Sequence, residues 1–110
     1  MKEAVINYLR NSADMSQVRL IAAAAHIGCS KSTVISKLAA EGTSWMQLLT
    51  TERMARFRQA VLDCDEISKG AMADHLGVSV ETVGDLTRTW SGMHFRDYKE
   101  QIIRDRSATP

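Results

Sequence analysis

The sequence predicts an all-α fold of about seven helices, in which two helix-turn-helix subdomains are joined by a long central helix. Three observations carry that expectation. Apolar residues recur at helical spacing through most of the 110 residues, while alternating β-branched runs are nearly absent. Serines and glycines fall where helices would start and stop. The pattern HIGCSKSTV at 26–34 returns as HLGVSVETV at 75–83, 49 positions later, and Ala24 and Ala73 extend the match backwards. A repeat inside so short a chain determines the architecture.

The elements follow in order. KEAVINYLR places Val5 and Leu9 on one face, with Ala4 and Tyr8 beside them, and predicts the first helix. A second is expected from about Ser16 to Ala25, broken at Gly28. Ser30 is placed to cap a third, which runs to about Ala40 and stops at Gly42. Ser44 to Gln47 has the spacing of a capping box and opens the longest helix, about Trp45 to Cys64. After the polar break DCDE, a helix from about Ser68 ends at Leu76 and Gly77, and Ser79 caps another to about Trp90. SGMH turns at Gly92, FRDYKEQIIRDR forms a last amphipathic helix, and SATP is expected to fray. No linker separates independent domains. The chain is expected to form one domain, with subdomain one at about 1–44, a linker helix at about 45–64 and subdomain two at about 65–106.

Composition narrows the function classes. With 45% hydrophobic and 25% charged residues the chain reads as an ordinary globular protein. No 18-residue apolar run spans a membrane, and no leader-like apolar segment with a small-residue cleavage site opens the chain. Cys29 and Cys64 are too few for a zinc motif or a disulfide framework, which points to a reduced, cytoplasmic protein. No phosphate loop, carboxylate pair or Cys/His nucleophile arrangement argues for an enzyme, and no cofactor is implied. The net charge of +1 hides an asymmetry: residues 16–44 carry +2, whereas 65–90 carry −3. One copy of the repeat is basic and the other acidic.

Each copy reads helix, glycine turn, capped helix, the helix-turn-helix signature. Ala24 and Ala73 are small where two helices cross, and Gly28 and Gly77 supply the left-handed backbone of the turn. Ile27 and Cys29, or Leu76 and Val78, flank the glycine and point inward, while Val34, and Val83 with Leu86, anchor the second helix. Outward positions are then Ser30, Lys31, Ser32, Ile35 and Ser36 in copy one, and Ser79, Val80, Glu81, Gly84 and Asp85 in copy two. A central helix of about 20 residues is about 30 Å long, close to the roughly 34 Å recurrence of major-groove faces along one side of B-DNA. A monomer with two readers can thus do what a symmetric dimer does with one each.

From about Val18 to Arg104 the chain resembles the two-helix-turn-helix domain of AraC-family transcription regulators. The resemblance is carried by IAAAAHIGCSKSTVISKLAAEG, by Gly42, Ser44, Leu48, Leu49, Arg53 and Ala60, by AMADHLG, and by Gly92, Tyr98 and Lys99 in the closing segment. The chain departs from the family where Phe95 stands for the usual Pro, Lys99 for Arg, and Gly84 and Leu86 where aromatics are common. The second turn is also one residue shorter. The resemblance implies a small stand-alone bacterial or mobile-element regulator that activates transcription through RNA polymerase.

The expected DNA-contacting residues are Ser30, Lys31, Ser32, Ile35, Ser36 and Lys37 in copy one, and Ser79, Val80, Glu81, Thr82, Asp85 and Arg88 in copy two. Lysine can donate to guanine O6 and N7, serine to base edges or phosphate, and Lys37, Thr82 and Arg88 can reach phosphate. Carboxylates at Glu81 and Asp85 face phosphate repulsion unless one accepts from cytosine N4, so copy one is expected to be the main reader. Copy two would dock weakly or present an acidic face to a protein such as RNA polymerase. Arg53 is expected to be structural, His26 and His75 to serve their helix ends, His94 to lie in a loop without metal partners, and the aromatics to pack cores. The leading expectation is a sequence-specific double-stranded DNA-binding transcription regulator, acting as a monomer. The alternative, favoured by the low net charge, is a protein-interaction adaptor or anti-activator that has lost DNA binding.

Overall fold

A computed structural model describes residues 1–108. It contains seven α-helices and no strand among them: α1 (Lys2–Arg10), α2 (Leu20–Ile27), α3 (Lys31–Ala40), α4 (Trp45–Asp63), α5 (Lys69–Leu76), α6 (Val80–Ser91) and α7 (Phe95–Ala108), with a short 3-10 turn at Met15–Gln17. The all-α fold expected from periodicity is therefore present. The expected frayed tail falls partly on Thr109 and Pro110, which lie outside the described residues; Ser107 and Ala108 continue α7. The chain divides within α4 into two units, Met1–Met54 and Ala55–Pro110.

The first unit buries Val5 and Leu9 of α1 with Met15, Val18, Ala24, Val34, Leu38, Leu48 and Leu49. The expected second helix starts later than its apolar spacing suggested. Asp14 accepts hydrogen bonds from the Ser16 amide (3.0 Å) and hydroxyl (2.6 Å), which closes the 3-10 turn instead. Val18 then continues extended (φ −76°, ψ 116°), so helix begins only at Leu20. A short acidic side chain that satisfies local backbone donors competes with helix at such a position. The Asp14 carboxyl is held below its ordinary pKa, first by the Ser16 hydroxyl and then by the amide.

No side chain of its own caps α1. Glu41, at the end of α3, does so from 39 residues away, accepting from the Lys2 amide at 2.8 Å and the Met1 ammonium at 3.1 Å. A carboxylate at a helix N-terminus meets unsatisfied amides and the positive end of the dipole. These bonds hold the Glu41 carboxyl below its ordinary value, the Lys2 amide contributing most. A depressed folded pKa means stability that is present above the ordinary carboxylate value and lost as pH falls through the depressed one. Glu41→Ala is accordingly expected to lower Tm at neutral pH and to leave it unchanged at acid pH where the carboxyl is protonated. Equal losses at both pH values, in thermal melts followed by circular dichroism, would contradict this role.

Helix α3 ends as its glycine predicts. Gly42 takes φ +77°, its amide donates to Ala39 O (3.0 Å) and the Thr43 amide donates to Leu38 O (3.0 Å). These are the two bonds of a Schellman stop. Only half of the capping box at α4 forms: Ser44 Oγ accepts from the Gln47 amide at 3.2 Å, while Gln47 Oε1 accepts from the Thr43 hydroxyl at 3.1 Å. No single apolar stripe runs along α4, because its halves serve different cores. Leu48 and Leu49 enter the first; Phe57 and Val61 enter the second with Met72, Ala73, Leu76, Val83 and Ile102.

Phe57 is fully buried at the centre of the second unit's aromatics. Its ring meets Trp90 and Phe95 edge-on at 5.9 and 5.8 Å and stacks on Tyr98 at 5.1 Å. Burial raises the Tyr98 pKa, with Arg58 pulling it the other way. Lys99 ties α7 down by donating to Ile67 O at 3.2 Å, its ammonium 5.6 Å from the Phe95 ring centre. No described helix is long and apolar enough to cross a membrane.

Candidate nucleic-acid interface

The sequence repeat is a repeat of geometry. In the first unit α2 closes at Gly28 (φ 90°, ψ 31°), and the next amide, of Cys29, donates to Ala24 O at 3.0 Å. In the second, α5 closes at Gly77 (φ 69°, ψ 34°), and the Val78 amide donates to Ala73 O at 3.0 Å. Both glycines hold the left-handed conformation that disfavours a Cβ. Each following helix is capped alike. Ser30 Oγ accepts from the Thr33 amide at 3.1 Å and lies 2.8 Å from the Thr33 hydroxyl; Ser79 Oγ accepts from the Thr82 amide at 3.2 Å and lies 2.8 Å from the Thr82 hydroxyl. Ala24 and Ala73 are buried, and Val34 and Val83 are fully so. Each unit therefore holds a second helix against its first by the same caps, turn and anchor.

These hairpins set which side chains face outward. In α3, Lys31, Ser32, Ile35, Ser36 and Lys37 are all exposed, as is Ser30 at its cap. Within the helix, Ser32, Ile35 and Ser36 share one face, with Lys31 and Lys37 on opposite flanks. In α6, Val80, Glu81, Asp85 and Arg88 are exposed with the capping Ser79, while Thr82 is half-buried with its hydroxyl against Ser79. Ile35 and Val80 are 50% and 44% exposed, large apolar side chains left open on these two helices.

One outward position differs from expectation. Gly84 is buried, although it stands on the outer face of α6 one turn from Arg88. The Lys69 side chain of α5 lies across it, and a Cβ there would stand 3.0 Å from Lys69 Nζ and 3.8 Å from Arg88 Nη2. Nothing in the local sequence announces this role of Lys69, because the contact is made fifteen residues away. Gly84 has no positive φ, so alanine fits its backbone, and the atom in its way is the tip of a flexible chain. Gly84→Ala is therefore expected to raise stability by about 0.5–1 kcal/mol, the usual gain from replacing a helix-interior glycine. Urea unfolding checks it; a loss instead of a gain would mean that the half-buried Lys69 side chain cannot give way to the added methyl group.

The remaining singled-out residues have local explanations. Arg53 is half-buried, its Nε has no hydrogen-bond partner among the described residues, and desolvation lowers its pKa. His26 is exposed and sits beside the Tyr8 ring at 5.6 Å, and Tyr8 in turn meets Trp45 at 6.4 Å. His75 and His94 are exposed, and no three metal-binding side chains come together among the described residues.

No protein-family model and no curated protein match the chain. Among solved structures, the chain is similar to the crystal structure of a DNA-binding transcriptional dual regulator from Escherichia coli K-12, at 28% sequence identity and a TM-score of 0.80, over 94% of this chain and 92% of that one.

Proposed function

We propose that this chain is a sequence-specific double-stranded DNA-binding transcription regulator of the AraC type. The observation that carries the reading is the duplicated hairpin: two capped, glycine-turned helix pairs, each presenting exposed polar side chains on its second helix. The similarity to a regulator of transcription over nearly the whole chain supports it.

In this reading α3 is the main reader. Lys31 donates to guanine, Ser32 and Ser36 meet base edges or phosphate, and Ile35 contacts a thymine methyl. Ser30 has its hydroxyl turned to its own helix and serves the site by holding α3 in place, and Lys37 reaches phosphate from the flank. In α6, Val80 is the apolar counterpart of Ile35, Thr82 lies at the helix start beside the Ser79 cap, and Arg88 meets phosphate. Glu81 and Asp85 accept from cytosine N4 or face RNA polymerase. The chain acts as a monomer, in the cytoplasm, as an activator, and needs no cofactor.

Fluorescence anisotropy on a duplex pool of about 25 base pairs tests this directly. The logarithm of the affinity is expected to fall linearly with the logarithm of salt concentration, with the slope of several phosphate contacts. Absence of binding at low salt would overturn the reading and favour the adaptor.

A further inference from the structure

The stretch 65–90 holds two basic side chains, Lys69 and Arg88, against five carboxylates, and both are brought to one point. The ammonium and the guanidinium both lie at the Gly84 gap, 3.0 and 3.8 Å from where its Cβ would stand. Glu81 and Asp85 share that helix face, yet neither cation forms an ion pair or side-chain hydrogen bond among the described residues. Two like charges that lie close together and are not paired by the carboxylates on the same face attract an anion.

The register of the repeat shows how the site arises. Forty-nine positions earlier, Lys69 and Gly84 correspond to Leu20 and Ile35. There Leu20 packs against the first core and Ile35 projects, half exposed. The second copy replaces this apolar pair by a cation and a gap, so the reach of α5 ends on the outer face of α6, one turn from Arg88. Lys69 is also the first residue of α5, the leading helix of its hairpin, and in helix-turn-helix proteins that helix crosses the DNA backbone.

We propose that Lys69 and Arg88 together clamp the phosphodiester backbone of duplex DNA, and that Gly84 exists as the gap that admits Lys69. The proposal rests on the DNA-binding reading and adds to it a contact in the acidic copy. Backbone contacts position a protein without reading sequence, so loss of the clamp weakens binding alike on all duplexes.

The test is the salt dependence of duplex binding for wild type, Lys69→Ala, Gly84→Ala and Arg10→Ala. Lys69→Ala is expected to reduce the slope of log affinity against log salt by about one, so that between roughly 50 and 200 mM salt it loses about fourfold less affinity than wild type. Gly84→Ala keeps every charge and displaces only the ammonium; it is expected to reduce the slope in the same direction. Arg10→Ala removes one charge from α1 and is expected to leave the slope unchanged. Wild-type binding with unaltered slopes in both Lys69→Ala and Gly84→Ala would overturn the clamp while leaving the DNA-binding reading intact. Failure of wild type to bind any duplex would overturn both. Circular dichroism melts confirm that each variant is folded.

Discussion

Phe57→Ala is expected to destabilise the second unit by about 3–5 kcal/mol, the range for removing a buried aromatic ring. Phe57 is fully buried and touches three other rings, so truncation leaves a void lined by Trp90, Phe95 and Tyr98 and forfeits their edge-on and stacked contacts. Domains of this size have a total stability of roughly 5–15 kcal/mol, so the loss would consume a large part of it. The two tryptophans allow the effect to be localised. Trp45 packs against the first core and Trp90 against the second, and the buried residues of the two cores are distinct. In a Trp45→Phe background, emission from Trp90 alone reports urea unfolding, and its midpoint is expected to fall sharply in Phe57→Ala. An unchanged midpoint would mean that the ring cluster contributes little.

The second large effect concerns recognition. Lys31→Ala is expected to reduce discrimination between the preferred duplex and a random one by about 1–3 kcal/mol, roughly 5- to 150-fold, the worth of a good lysine contact to guanine. Lys31 is exposed at the first turn of α3, and its removal leaves the Ser30 cap and the Val34 anchor in place. Thermal stability should therefore stay within about 0.5 kcal/mol, as for most surface substitutions. Competition titrations separate the outcomes. Affinity falling equally on both duplexes would make Lys31 a phosphate contact, and no change on either would remove it from the interface.

What was legible in the sequence was whatever acts within a few residues. Ser30 and Ser79 cap the helices they precede, and Gly28, Gly42, Gly77 and Gly92 all take positive φ where a helix stops. Val34 and Val83, in register in the repeat, are both fully buried. The late start of α2 has a local cause as well: Met15 and Val18 have helical spacing, but Asp14 diverts the backbone into a 3-10 turn. Illegible were the contacts made by tertiary approach. Glu41 capping α1, Lys99 reaching Ile67 O and Lys69 covering Gly84 each join residues at least fifteen positions apart. The last of these bears most on the proposed phosphate clamp, since it brings the Lys69 ammonium to an outward glycine one turn from Arg88. The outward faces of α3 and α6 were legible because the anchors beneath them were, whereas what those faces touch is decided by a partner.

The measurement that bears most directly on function is sequencing of the duplexes that the protein selects from a random pool of about 25 base pairs, compared with those selected by a Lys31→Ala, Ser32→Ala variant. Wild type is expected to enrich two clusters of bases about one helical turn apart, and the variant to lose the stronger cluster while keeping the weaker. A selected pool as random as the input would contradict sequence-specific recognition by these hairpins.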